Sequence, residues 1–77
     1  MIAHQKILRV FRLIAFLTRS RLTLSGLSSR MDVSERTVYR YILLLREIGF
    51  KVHVRNSRYL IDKDEMPDFV PRVFEKA

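Results

Sequence analysis

The stretch Val33-Ser34-Glu35-Arg36-Thr37-Val38-Tyr39-Arg40-Tyr41-Ile42-Leu43-Leu44-Leu45-Arg46-Glu47-Ile48-Gly49-Phe50 decides the fold. Val38, Ile42, Leu45 and Ile48 recur at helical spacing and form one apolar stripe, with Tyr41 and Leu44 on its borders. Ser34 stands where an N-cap belongs, because its hydroxyl can accept from an orphan amide of the first turn. Gly49 follows the last turn, where a left-handed residue costs glycine little. The spacing therefore predicts a helix over 34–48. Arg36, Tyr39, Arg40 and Leu43 lie away from the stripe, so the same helix carries a buried face and a basic, hydrogen-bonding face.

Working outward on the N-terminal side, Asp32-Val33 leaves room for a turn of only a few residues. Before it, Leu24, Leu27 and Met31 are spaced three and four apart and predict a short helix over 24–31, capped by Thr23 or Ser25. Leu22 to Leu24 can add a short extended segment that pairs with a later hairpin, and Arg19 to Arg21 form a turn. Gln5 to Thr18 predict the first helix, with Ile7, Val10, Phe11, Ile14 and Leu17 on the core arc and Lys6, Arg9 and Arg12 opposite. Leu8, Leu13 and Phe16 make that helix apolar over more than one face, which implies a second contact with the C-terminal tail or another subunit.

On the C-terminal side the period changes from helical to alternating. Phe50 to Arg55 and Arg58 to Ile61 read as two strands joined by Asn56-Ser57, and asparagine accepts the positive φ of a tight hairpin turn. This register sets Val54 against Tyr59 and Val52 against Ile61 on the core side, with His53 and Leu60 paired on the other. Arg55 and Arg58 flank the tip. The expected organisation is one domain over 1–61 and an acidic tail over 62–77, in which Val70, Val73 and Phe74 are spaced for a turn of helix after Pro67 or Pro71. The fold class is α+β, mostly α: three helices plus a two-stranded hairpin and a short tail.

Composition removes several classes of function. The 77 residues contain no cysteine, so disulfides and thiolate metal sites are excluded, and His4 and His53 stand too isolated to make a metal centre. Lys6, Arg9 and Arg12 interrupt the most apolar run, which speaks against a membrane span or a secretory leader and for a cytoplasmic chain. No nucleophile stands with a partner, and no acid–base pair or phosphate loop is evident; neither an enzyme nor a cofactor is expected. The net charge is +7, distributed unevenly. Residues 1–61 hold twelve Lys/Arg against Asp32, Glu35 and Glu47, a formal +9, whereas residues 62–77 carry −2. A basic body with a mildly acidic tail is the footprint of a polyanion binder.

Helix, short helix, turn, helix and hairpin is the order of a winged helix-turn-helix. Leu24 to Met31, Val33 to Ile42, Leu45 and Gly49-Phe50 resemble the winged-helix domains of the DeoR type, and those at the N-terminus of WYL-domain regulators and biotin repressors. The run Val33-Ser34-Glu35-Arg36-Thr37-Val38-Tyr39-Arg40 is its most specific part. Two positions depart from the pattern: Asp32 stands where relatives often have glycine, and the hairpin tip Arg55-Asn56-Ser57-Arg58 is not glycine-rich. Such regulators carry an effector or oligomerisation domain after the wing, and this sequence continues for only sixteen residues, so no small-molecule effector is expected.

Helix geometry and the resemblance together imply sequence-specific binding of double-stranded DNA by a transcription regulator, with helix 34–48 in the major groove and hairpin 51–61 as the wing. Ser34 and Thr37 are expected at phosphate, and Arg36 and Arg40 at base edges, since a guanidinium matches the paired acceptors of guanine. Tyr39 is expected at phosphate or base, and Arg55 and Arg58 at backbone or minor groove. Leu43 is open between a surface residue, a thymine-methyl contact and an interface residue; Arg30, Arg46 and Lys51 are open between peripheral phosphate contacts and solvated charges. A homodimer is expected, with Leu13, Phe16, Val70 and Phe74 at its interface. The rival readings are a protein-interaction module built on the same fold, and a single-strand or RNA binder that stacks bases on Tyr59 and His53.

Overall fold

A computed structural model describes residues 2–69 of the chain. It contains α1 (Ile2–Arg19), β1 (Leu22–Thr23), α2 (Leu24–Met31), α3 (Glu35–Ile48), β2 (Val52–Arg55), β3 (Arg58–Ile61) and a single 3-10 turn (Lys63–Glu65). No helix among the described residues is long and apolar enough to cross a membrane. The expected helical turn at Val70, Val73 and Phe74 lies outside the described residues.

The helix ends are local and chemically specified. Thr23, rather than Ser25, caps α2 and accepts from the Gly26 amide at 3.1 Å. Ser34 caps α3 and accepts from the Thr37 amide at 3.1 Å. Both helices end in a left-handed residue that returns amides to carbonyls of the last turn. At α2 this residue is Asp32 (φ 56°), with its own amide and that of Val33 directed at the Ser28 carbonyl. At α3 it is Gly49 (φ 118°), with the Gly49 amide on Arg46 and the Phe50 amide on Leu45. Aspartate visits this region more readily than most residues, because its short polar side chain bonds locally; that is why the departure at position 32 leaves the turn intact.

The core gathers Leu13, Ile14 and Leu17 of α1, Leu27 and Met31 of α2, Val38, Tyr41, Ile42 and Leu45 of α3, then Phe50, Val52 and Ile61. This corrects the expected arc of α1. Leu13 is 0% exposed, whereas Ile7 and Phe11 are 54% and 46% exposed. The helix is rotated so that the Leu13 edge meets α2 and the sheet, and the Ile7–Phe11 edge turns outward. Apolar residues on more than half of its circumference allow either rotation locally, and tertiary packing selects one. The same outward surface leaves Ile48 49% exposed, so the buried stripe of α3 ends at Leu45.

The hairpin register is as expected: Val52 faces Ile61, His53 faces Leu60, Val54 faces Tyr59 and Arg55 faces Arg58. Asn56 and Ser57 both have positive φ, 52° and 64°, as a tight hairpin turn of this hand requires. The sheet, however, has three strands in the order β1-β3-β2, with Leu22 against Tyr59 and Thr23 against Arg58. The expected two-stranded wing is therefore the outer part of a three-stranded antiparallel sheet. The face assignment also changes in two places. Val54 is exposed because it stands toward the tip, beyond the core, and Leu60 is buried. On the Leu60 side of the ribbon, residues 17–21 and the turn after β3 gather around one cavity with Leu60, and the His53 imidazole meets the Glu65 carboxylate there, Nε2 to Oε1, at 2.6 Å.

Candidate nucleic-acid interface

Residues Asp32, Val33 and Ser34 alone separate α2 from α3, and Ser28 fixes the angle between them. The Ser28 carbonyl accepts from the Val33 amide at 3.2 Å, and its hydroxyl donates back to the Val33 carbonyl at 2.5 Å. Val33 is half-buried and packs on the core between the two helices. Ser28 carries no local sequence signal for this role, which depends on the chain returning five residues later.

With its inner face held by Val38, Tyr41, Ile42 and Leu45, α3 presents Arg36, Tyr39, Arg40 and Leu43 outward, all exposed. The spacing of three and four sets Arg36, Arg40 and Leu43 on one line, with Tyr39 beside them. At the N-terminus of this face Ser34 and Thr37 are coupled. The Ser34 hydroxyl accepts from the Thr37 amide and donates to the Thr37 hydroxyl oxygen at 2.9 Å. The Ser34 proton is thus directed inside the protein, while the Thr37 hydroxyl keeps its own proton for an outside acceptor.

The wing is joined to this helix at its far end, where Arg46 Nη2 donates to the Val52 carbonyl at 3.0 Å. Arg58 Nη1 donates to the Arg21 carbonyl at 2.9 Å, tying β3 to the turn before β1, while Arg55 stands exposed near the tip. Arg12 Nη2 reaches the Arg30 carbonyl at 3.3 Å, with its guanidinium 5.9 Å from the Phe16 ring centroid. The arginines thus divide. Arg12, Arg46 and Arg58 are engaged with backbone carbonyls, whereas Arg36, Arg40 and Arg55 make no hydrogen bond or ion pair among the described residues. The two aromatic groups considered for base stacking are engaged internally, Tyr59 against the core and His53 with Glu65.

Three helices, a tight α2–α3 turn, an outward basic face on α3 and a hairpin tied to its end define a winged helix-turn-helix. Residues 9–61 match the model of a helix-turn-helix (HTH) domain family. The chain belongs to this family and carries a DNA-binding helix-turn-helix domain. Neither the curated proteins nor the solved structures give a match to it.

Proposed function

We propose that this chain is a cytoplasmic transcription regulator that reads a specific duplex DNA sequence by placing α3 in the major groove. One observation carries the reading: the cations of α3 that no internal carbonyl engages, Arg36 and Arg40, share its outward face with Tyr39 and Leu43. Arg36 and Arg40 read base edges, and each bidentate contact with guanine discriminates by about 1–3 kcal/mol. Thr37 donates its free hydroxyl proton to a phosphate, at a helix N-terminus whose dipole favours anions. Ser34 caps the helix and orients Thr37. Tyr39 contacts backbone or base, and Arg55 reaches the backbone from the wing. Arg58 ties the tip end of β3 to the turn before β1 and presents its remaining guanidinium donors beside Arg55.

Selection of bound sequences from random duplex DNA at two salt concentrations tests this. A defined motif, lost on Arg36→Ala or Arg40→Ala, is the expected result. Weak binding without sequence preference, unchanged by either substitution, overturns it.

A single module of this size covers a limited stretch of DNA, so we further propose that two copies act together. The expected interface needs revision: Leu13 is fully buried, Phe16 is half-buried against the core, and Val70 and Phe74 lie outside the described residues. An apolar groove of about 430 Å³ between α1 and the end of α3, which includes the exposed Ile7, Leu44, Ile48 and Phe69, takes their place. Pairing over this groove is expected to give a concentration-dependent dimer in sedimentation equilibrium, shifted to monomer by Ile48→Glu. A wild-type chain that stays monomeric at high concentration overturns the pairing.

A further inference from the structure

A second basic edge runs beside α3, on α1. Lys6 and Arg9 are three residues apart, on one line of the helix, and both are exposed. They form one wall of a groove of about 640 Å³ whose other wall includes Thr37, Arg40, Leu43 and Glu47 of α3. Among the described residues, neither Lys6 nor Arg9 makes a hydrogen bond or ion pair. In this they differ from Arg12, one turn further along, which is engaged with the Arg30 carbonyl. The groove therefore joins two uncommitted cations of α1 to Arg40 and to the hydroxyl proton that Thr37 leaves unspent. Glu47 is the one carboxylate lining it.

The dimensions of duplex DNA say what such a groove meets. A helix is about 10–12 Å across with its side chains, and the major groove is about 12 Å wide, so a helix lying there has a sugar-phosphate backbone along each flank. One flank of α3 belongs to the wing, through Arg46 and Val52. The opposite flank, through Thr37 and Leu44, belongs to α1 and its two cations.

We propose that Lys6 and Arg9 are backbone-phosphate contacts that carry the duplex footprint onto α1, on the flank of α3 away from the wing. This rests on the duplex-DNA reading above. The two residues add affinity and fix the orientation of α3 in the groove, without reading bases. The Thr37 hydroxyl completes the phosphate-facing wall, and Arg40 lies between that wall and the base edges it reads. Glu47 opposes the anion, so Glu47→Gln tightens binding.

The test is the salt dependence of binding, measured on the full chain with the duplex it selects. The double variant Lys6→Ala/Arg9→Ala is expected to lower the slope of log affinity against log salt by about 1.8, at about 0.9 for each phosphate that is no longer neutralised. Its sequence preference is expected to stay that of the wild type. Both positions are exposed, so circular dichroism of the variant should match the wild type, and Lys6→Arg/Arg9→Lys should keep the slope. Lys63→Ala, which removes a charge from the turn between Asp62 and Asp64, should leave the slope unchanged. A wild-type chain that selects its sequence while the double variant keeps the full slope overturns this inference alone. A wild-type chain that binds no duplex overturns the DNA reading and this inference with it.

Discussion

Arg46 Nη2 donates a hydrogen bond to the Val52 carbonyl at 3.0 Å, fastening the last turn of α3 to the first strand of the wing. This bond couples the two elements that the proposed reading brings to DNA together. Arg46→Ala should cost about 1 kcal/mol, the value of an ordinary hydrogen bond and below the charge-assisted range because the side chain is exposed. It should also weaken duplex binding several-fold by freeing the wing. Arg55→Ala should weaken binding without altering stability. Urea unfolding and duplex titration of both variants separate the roles; an Arg46→Ala chain as stable as wild type would show that the bond holds nothing.

Ser34 works through the backbone. Its hydroxyl accepts from the Thr37 amide and donates to the Thr37 side chain. Ser34→Ala removes both and should cost about 1 kcal/mol, roughly 4–8 °C in melting temperature for a domain of this size. Ser34→Asp keeps an acceptor and adds a favourable charge at the helix N-terminus. Its stability should stay within a few tenths of a kcal/mol of wild type, while duplex affinity falls because the carboxylate repels phosphate. If Ser34→Asp binds DNA as well as wild type, the N-terminus of α3 does not meet the backbone.

These two residues also mark the limit of what the amino-acid order reveals. The cap at Ser34, the left-handed ends at Asp32 and Gly49, the Asn56-Ser57 turn and the hairpin register all depend on neighbours within a few residues, and all can be read locally. The rotation of α1 cannot, since Leu13 and Ile7 are equally apolar and only contact with α2 and the sheet separates them. Leu22–Thr23 reads as an extended segment that can pair with the hairpin, as it does, but it is too short to show a period, and only the fold fixes β3 as its partner and sets the register. Leu60 is buried on the side where residues 17–21 and the Lys63–Glu65 turn gather, an arrangement that strand alternation does not reveal. The candidate site divides in the same way. The outward face of α3 follows from helical spacing, but nothing local separates Arg46 and Arg58, held by distant carbonyls, from Arg36, Arg40 and Arg55.

The hairpin tip carries strain that one substitution should relieve. Asn56 tolerates its φ of 52°, but Ser57 at 64° holds a side chain in a region that costs most L-residues about 1–2 kcal/mol. Ser57→Gly removes that cost and loses some of the gain to the greater freedom of the unfolded chain. The net effect should be about 0.5–1 kcal/mol of added stability, while Ser57→Val destabilises. Thermal melts of the pair check this. Duplex affinity of Ser57→Gly should match wild type, since the Ser57 side chain has no assigned contact.

The rotation of α1 makes the sharpest stability contrast in the chain. Leu13 is fully enclosed and Ile7 is half-open, although both sit on the same helix with similar side-chain volumes. Leu13→Ala should cost about 2–5 kcal/mol, the range for emptying a closed core site. For a domain of 77 residues, with roughly 0.05–0.15 kcal/mol of stability per residue, that is a large share of the total. Ile7→Ala removes apolar surface that water already reaches and should cost less than about 1 kcal/mol. Urea denaturation of the two variants side by side decides the matter. A larger loss at Ile7 than at Leu13 would return α1 to the arc that periodicity favours, and would close the groove between α1 and α3 that the pairing of two copies requires.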